Sequence, residues 1–222
     1  MNYFAHGRHF VAEPYFLAGT AVPDLLSVVD RRVRARSQRA LQLVDDPDPR
    51  VAAVAAGIVR HHHDDKWFHE TRAFGELSWR FTAMVRDALP PDDSLRPSFL
   101  GHILVELLLD DTLIRRDLDR LEAYYRAVEE VDADLIELAV NRIAPRPTDR
   151  LAAFLRRFCG ERFLSDYAED GKLWFRLNQV MRRVGLPPLP EEFCRILPVA
   201  REQVTARADE LLTPPRLLES SL

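Results

Sequence analysis

RVAAVAAGIVRHHHDDKWFHE, residues Arg50 to Glu70, is the stretch on which the fold class turns. It follows Asp45-Asp46-Pro47-Asp48-Pro49, a strong break and start signal, and it is rich in alanine, the best intrinsic helix former. It reads as one long helix. Outward from it, apolar residues recur at spacings of three and four, and no sustained alternation is bounded by Asn-Gly or Asp-Gly turns. The expectation is an all-α protein. A first apolar stretch runs from Tyr3 to Leu17, and a second helix is expected to begin near Pro23, because proline suits a first helical turn. The run Arg31 to Leu43 continues or follows that helix. Further helices are expected over Phe74 to Leu89, Pro97 to Arg116, Leu118 to Val131, Asp134 to Ile143, Asp149 to Tyr167, Lys172 to Val184 and Glu191 to Leu212. Pro90, Pro91, Pro145, Pro147, Pro187, Pro188 and Pro190 fall between these segments, where they end helices without breaking interiors.

With 222 residues, 47% of them hydrophobic, the chain can bury one large core. No repeat of fixed period and no low-complexity linker divides it, so 1–222 is expected to be a single domain. Within it, 1–116 would form a metal-site half, 117–212 a half for packing and substrate cover, and 213–222 a frayed tail. Trp67, Phe68, Phe74, Trp79 and Phe81, and the group Leu173-Trp174-Phe175, are expected to pack inside. A net charge of −4 argues against a general nucleic-acid binder, which needs a large excess of Lys and Arg on its contact face. Cys159 and Cys194 form no paired motif, and a reducing compartment fits. No signal-like or membrane-spanning apolar run is found, so the expectation is a cytoplasmic protein without a membrane partner.

All seven histidines lie at or before position 102, which assigns imidazole chemistry to the first half. On a helix, His61, Asp65 and His69 advance by about 40° and about 6 Å per step of four, forming one slanting row. The outer two are about 12 Å apart along the axis, too far to share one ion readily, which suggests two neighbouring metals with Asp65 between them. His102, Glu106 and Asp110 offer a second row at the same spacing. Its setting, Phe99 to Asp111, is apolar almost all round, and a buried carboxylate such as Glu106 needs a cation there. His, Asp and Glu without cysteine suit Mn²⁺, the favoured ion, or Fe²⁺, Zn²⁺ or Mg²⁺. No Glu-x-x-His pair of the di-iron type is present. What remains is a cation, or a pair, that polarises a phosphoryl oxygen and makes hydroxide available near neutral pH. A serine elbow, a cysteine beside a histidine, and a phosphate-binding glycine loop are all missing.

Met1-Asn2-Tyr3-Phe4-Ala5-His6, Gly19 followed five residues on by Asp24, Gly57-Ile58 with His61 and Asp65, and Glu106 with Asp110 together resemble the acyl carrier protein phosphodiesterase family. That family is related to the HD-type metal-dependent phosphohydrolases, and the resemblance covers about the first 115 residues. It implies an HD-like helical core with a helical C-terminal extension. It also implies metal binding and water activation by His6, Asp24, His61, Asp65 and Asp110, with Asp24 as the catalytic residue. The implied reaction is hydrolysis of the phosphodiester joining 4′-phosphopantetheine to acyl carrier protein. His69 and His102 depart from the family pattern while keeping ligand chemistry. The partner would be acyl carrier protein or another acidic or phosphorylated substrate, met by Arg31, Arg32, Arg34 and Arg36. A metal-stabilised helical binding protein without turnover, and a phosphohydrolase acting on a nucleotide or phospholipid, are the competing classes. His62 is the alternative to His61 as ligand. Asp64 and Asp111 are either partners that orient imidazoles or surface carboxylates.

Overall fold

Prolines and short polar side chains set where the helices begin. The computed structural model describes residues 1–89 and 93–215, and among them there is no strand. Eleven α-helices follow in order: α1 Tyr3–Gly7, α2 Pro14–Val29, α3 Ser37–Ala40, α4 Pro49–His69, α5 Arg72–Ala88, α6 Pro97–Arg116, α7 Leu118–Glu129, α8 Ala133–Ile143, α9 Leu151–Glu161, α10 Asp170–Val184 and α11 Leu197–Leu211. The fold is all-α, as expected. The α4 start is set by Asp48, whose side chain accepts from Arg50 N at 2.9 Å, with Pro49 in the first turn. Thr71 caps α5 in the same way, accepting from Phe74 N, and so separates α5 from α4.

Four expected boundaries move. The second helix begins at Pro14, and Pro23 lies inside it. Proline there removes the hydrogen bond to the carbonyl four residues back, but Leu17, Ala18, Ala21, Val22, Leu25 and Leu26 are all buried, and that packing carries the helix through. The run Arg31 to Leu43 is helical only at α3 and the 3₁₀ turn Leu41–Leu43. Before it, buried Val33 and Ala35 alternate with exposed Arg32, Arg34 and Arg36, so a period of two overrides the helical expectation. The segment Asp149 to Tyr167 splits at Arg162, whose φ of 46° ends α9, and Phe163–Ala168 continues as a 3₁₀ helix. Likewise Glu191–Ile196 is a 3₁₀ turn that leads into α11. Pro90, Pro91 and residues 216–222 of the expected tail lie outside the described residues.

One continuous core runs from Met1 to Leu211. At the crossing of α2 and α4, glycines let the backbones touch: a Cβ on Gly57 would meet Phe16 O at 2.2 Å, and one on Gly19 would meet Val54 O at 2.4 Å. Helix α6 lies at the centre, against α1, α5, α7 and α11. Its Leu100, Leu104, Val105, Leu108 and Leu109 have no exposure, and each such side chain contributes about 1.5–3 kcal/mol on burial. Asp111, also buried, is neither a surface carboxylate nor an orienter of imidazole. It pairs with Arg115 and Arg201, and Arg201 pairs in turn with Asp170 at 2.6 Å, which ties α6 to α10 and α11. Among the residues expected inside, Trp79 and Phe175 are exposed, each on the outer side of an amphipathic helix. No described helix is long and apolar enough to cross a membrane.

Candidate metal centre

Helix α1 is only five residues long, and its position is imposed by α6. Asp110 accepts hydrogen bonds from Phe4 N at 3.0 Å, Ala5 N at 2.8 Å and Asn2 Nδ2 at 2.9 Å, a carboxylate capping a helix N-terminus from another element. That anchor carries His6 across to α4. His6 Nε2 lies 3.1 Å from Asp65 Oδ1, and His61 Nε2 lies 3.4 Å from Asp65 Oδ2. The Nδ1 of His61 donates to the carbonyl of Thr20 at 2.9 Å, which fixes the ring with Nε2 turned toward Asp65. His61 is therefore the inward-facing residue, while His62 donates to Ala35 O and His63 is exposed.

A second trio forms where α4 ends. His69 Nε2 is 3.0 Å from Glu106 Oε1, and His102 Nε2 is 3.4 Å from the same atom. In each trio, His6 with His61 and Asp65, and His69 with His102 and Glu106, the three ligand atoms lie within 4.8 Å of one another. The Met1 ammonium connects the trios, 2.7 Å from Asp65 Oδ1 and 3.2 Å from Glu106 Oε1. Asp65 pairs with His6 and His61 in the first trio, and His69 pairs with Glu106 in the second.

The electrostatics follow from burial and neighbours. Burial and the adjacent His61 push His6 down to about 4. Burial also works against charge on His61, yet Asp24 and Asp65 outweigh it and raise its pKa. Burial disfavours charge on both Asp65 and Glu106, but their partners win. His6, His61 and the terminal ammonium hold Asp65 far below the ordinary carboxylate range, and the ammonium, His102 and His69 do the same for Glu106. Asp24, on α2, is pushed up to about 7 by burial, with Asp65 and Glu106 adding to the shift and His61 opposing it. Its Oδ2 is sealed from solvent without a hydrogen-bond partner, and so is His6 Nδ1. Polar atoms left bare in this way are uncommon in native interiors.

Of the eight ligand candidates, six form the two trios, Asp24 sits beside them, and Asp110 is spent on the α1 backbone, pushed up to about 7 by burial. Asp64 is buried, accepting from Arg60 Nε at 2.7 Å and Trp67 Nε1 at 3.1 Å, and so braces α4. A cavity of about 820 Å³ opens beside Asp24 and Glu106, and Arg31 and Arg34 line it, whereas Arg32 and Arg36 do not. Another cavity, of about 630 Å³, borders Glu106 and His102 and is lined by Arg86 and Arg96.

The sequence did not point to the Met1 ammonium, to Asn2, or to the arginines that the second half sends into the larger cavity. Two of those, Arg176 and Arg183, are seven apart within α10, a spacing that puts the pair on one helix face and was a legible signal. Comparison of the chain with family models, curated proteins and solved structures finds no match.

Proposed function

We propose that this protein is a metal-dependent phosphoester hydrolase. The observation that carries the proposal is the gathering of His6, His61 and Asp65 in one trio and of His69, His102 and Glu106 in another, with Glu106 and Asp24 together in the wall of one cavity. Four imidazoles and two carboxylates suit Mn²⁺, Fe²⁺, Zn²⁺ or Mg²⁺, and the bare buried atoms of His6 and Asp24 fit a site that takes a further partner. A divalent ion held there supplies charge neutralisation at a phosphoryl oxygen and lowers the pKa of water.

The chain's own groups do the rest. Asp24, with a pKa near 7, can hold a proton at Oδ2 or release it close to neutral pH, which suits a general acid or base. Thr20 fixes the His61 tautomer, and Asp110 fixes the height of His6 through α1. Arg31 and Arg34 offer positive charge to an anionic substrate in the cavity. The resemblance to acyl carrier protein phosphodiesterases adds a candidate substrate. The test is hydrolysis of holo-acyl carrier protein and of bis(p-nitrophenyl) phosphate with Mn²⁺ present, repeated with Asp24→Asn. Turnover that falls about 10²-fold or more in the variant supports the proposal. Ion binding with no turnover above the variant's level would instead favour a structural metal site.

A further inference from the structure

The larger cavity carries more positive charge than a single phosphoester requires. Besides Arg31 and Arg34 it is lined by Arg150, Arg157, Arg176, Arg182 and Arg183, against only three carboxylates, those of Asp24, Glu106 and Glu161. Glu161 is already engaged by Arg157 at 2.5 Å and approached by Arg176, which also pairs with Asp166. For Arg31, Arg34, Arg182 and Arg183, no carboxylate among the described residues lies within ion-pair distance. Arg31 donates to the Arg183 carbonyl and Arg34 to the Val33 carbonyl. Guanidinium groups gathered without counterions repel one another, and an arrangement of this kind pays off only when an anion joins it. The arginines come from two separate places, the Asp30 to Arg36 segment and the stretch from Arg150 through α9 and α10, whereas Glu106, with Asp24 near it in the lining, marks the part of the wall that meets the second trio.

We propose that this cavity binds a small organic molecule bearing two phosphate groups, one presented to the trios and the other held by Arg34, Arg182 and Arg183. The inference rests on the hydrolase proposal for the role of the first phosphate only. A small molecule is favoured over a protein surface because the arginines line a concavity of about 820 Å³ whose wall includes Tyr3, Phe154 and Phe163. That size falls within the usual range for small-ligand sites, and the rings offer an apolar face to the organic body.

The experiment is calorimetric titration of the full chain with adenosine 3′,5′-bisphosphate and with adenosine 5′-monophosphate, each with and without Mn²⁺, and with holo-acyl carrier protein as competitor. The expected result is that the bisphosphate binds at least about tenfold tighter than the monophosphate, with the difference shrinking as salt rises. The double variant Arg34→Gln with Arg183→Gln should erase that difference while leaving Mn²⁺ binding intact. Both side chains are exposed, so folding should survive, and circular dichroism checks it. Equal affinity for the two nucleotides, an undiminished preference in the double variant, or binding of acyl carrier protein alone would overturn the inference. Bisphosphate preference without any turnover would leave the inference standing and remove the hydrolase.

Discussion

The imidazole rings of His6 and His61 stack with their centroids 4.1 Å apart and their planes 30° from parallel, although one sits on α1 and the other on α4. Two protonated rings could not share that contact, and burial keeps His6 neutral near pH 7 while the carboxylates favour charge on His61. The pair is built to share one positive charge with Asp65, and a divalent ion can take that charge over.

Mn²⁺ or Zn²⁺ should therefore stabilise the protein. At an ion concentration of about 100 times Kd the gain is about 2.7 kcal/mol, and for a chain of this size it should raise Tm by roughly 5–10 °C. His61→Gln and Glu106→Gln, followed by differential scanning calorimetry, should each remove most of the rise, and an unchanged rise in both would rule out the trios as the binding site.

Asp24 gives the metal-free protein a pH signature. Its ordinary value is 3.8 and its folded value about 7, so the fold favours the protonated form. The resulting stability is fully present below about pH 4 and is lost as pH rises through about 7, by at most about 4 kcal/mol. Urea unfolding of wild type and Asp24→Asn at pH 5 and pH 8 checks this: the variant should lose less stability between the two values. Comparing the pair separates Asp24 from His6, whose lowered pKa pulls the other way over the same window. Identical pH dependence in the two proteins would mean that Asp24 is not held protonated.

Asp110 should behave as an anchor, not as a ligand. Asp110→Ala leaves Phe4 N and Ala5 N buried without an acceptor and should cost about 2–4 kcal/mol by chemical denaturation. Metal affinity should fall as His6 is released. Asp110→Asn keeps one acceptor oxygen and should retain more of both. A variant that loses all ion binding at unchanged stability would point to direct ligation instead.

The α2–α4 crossing should tolerate no added methyl. Gly57→Ala drives a Cβ to 2.2 Å from Phe16 O and should cost about 3 kcal/mol or more, together with the register that aligns Thr20 with His61. Gly75→Ala, with nothing within 4 Å, should instead stabilise α5 by about 0.5–1 kcal/mol. Thermal melts of the two variants moving in the same direction would contradict this packing.

Alanine content, proline placement and apolar spacing determined by themselves that the chain is helical and where α4 and α6 begin, because those preferences are local and add up residue by residue. The spacing of four likewise put His61 beside Asp65 and His102 beside Glu106, since a single helix settles which side chains share a face. Local rules also misplaced some features. Pro23 reads as a start signal but sits inside α2, and the arginine run reads as helix but is largely extended, because burial of Leu25 and Leu26 in one case and of Val33 and Ala35 in the other outweighs propensity. Only the tertiary structure decided that His6 joins His61, that His69 turns to Glu106, that Asp110 is consumed by the α1 backbone, and that α9 and α10 send arginines into the same cavity as Asp24. Those relationships depend on how separate helices dock, and docking is fixed by close backbone approaches such as Gly19 against Val54, which no single segment encodes.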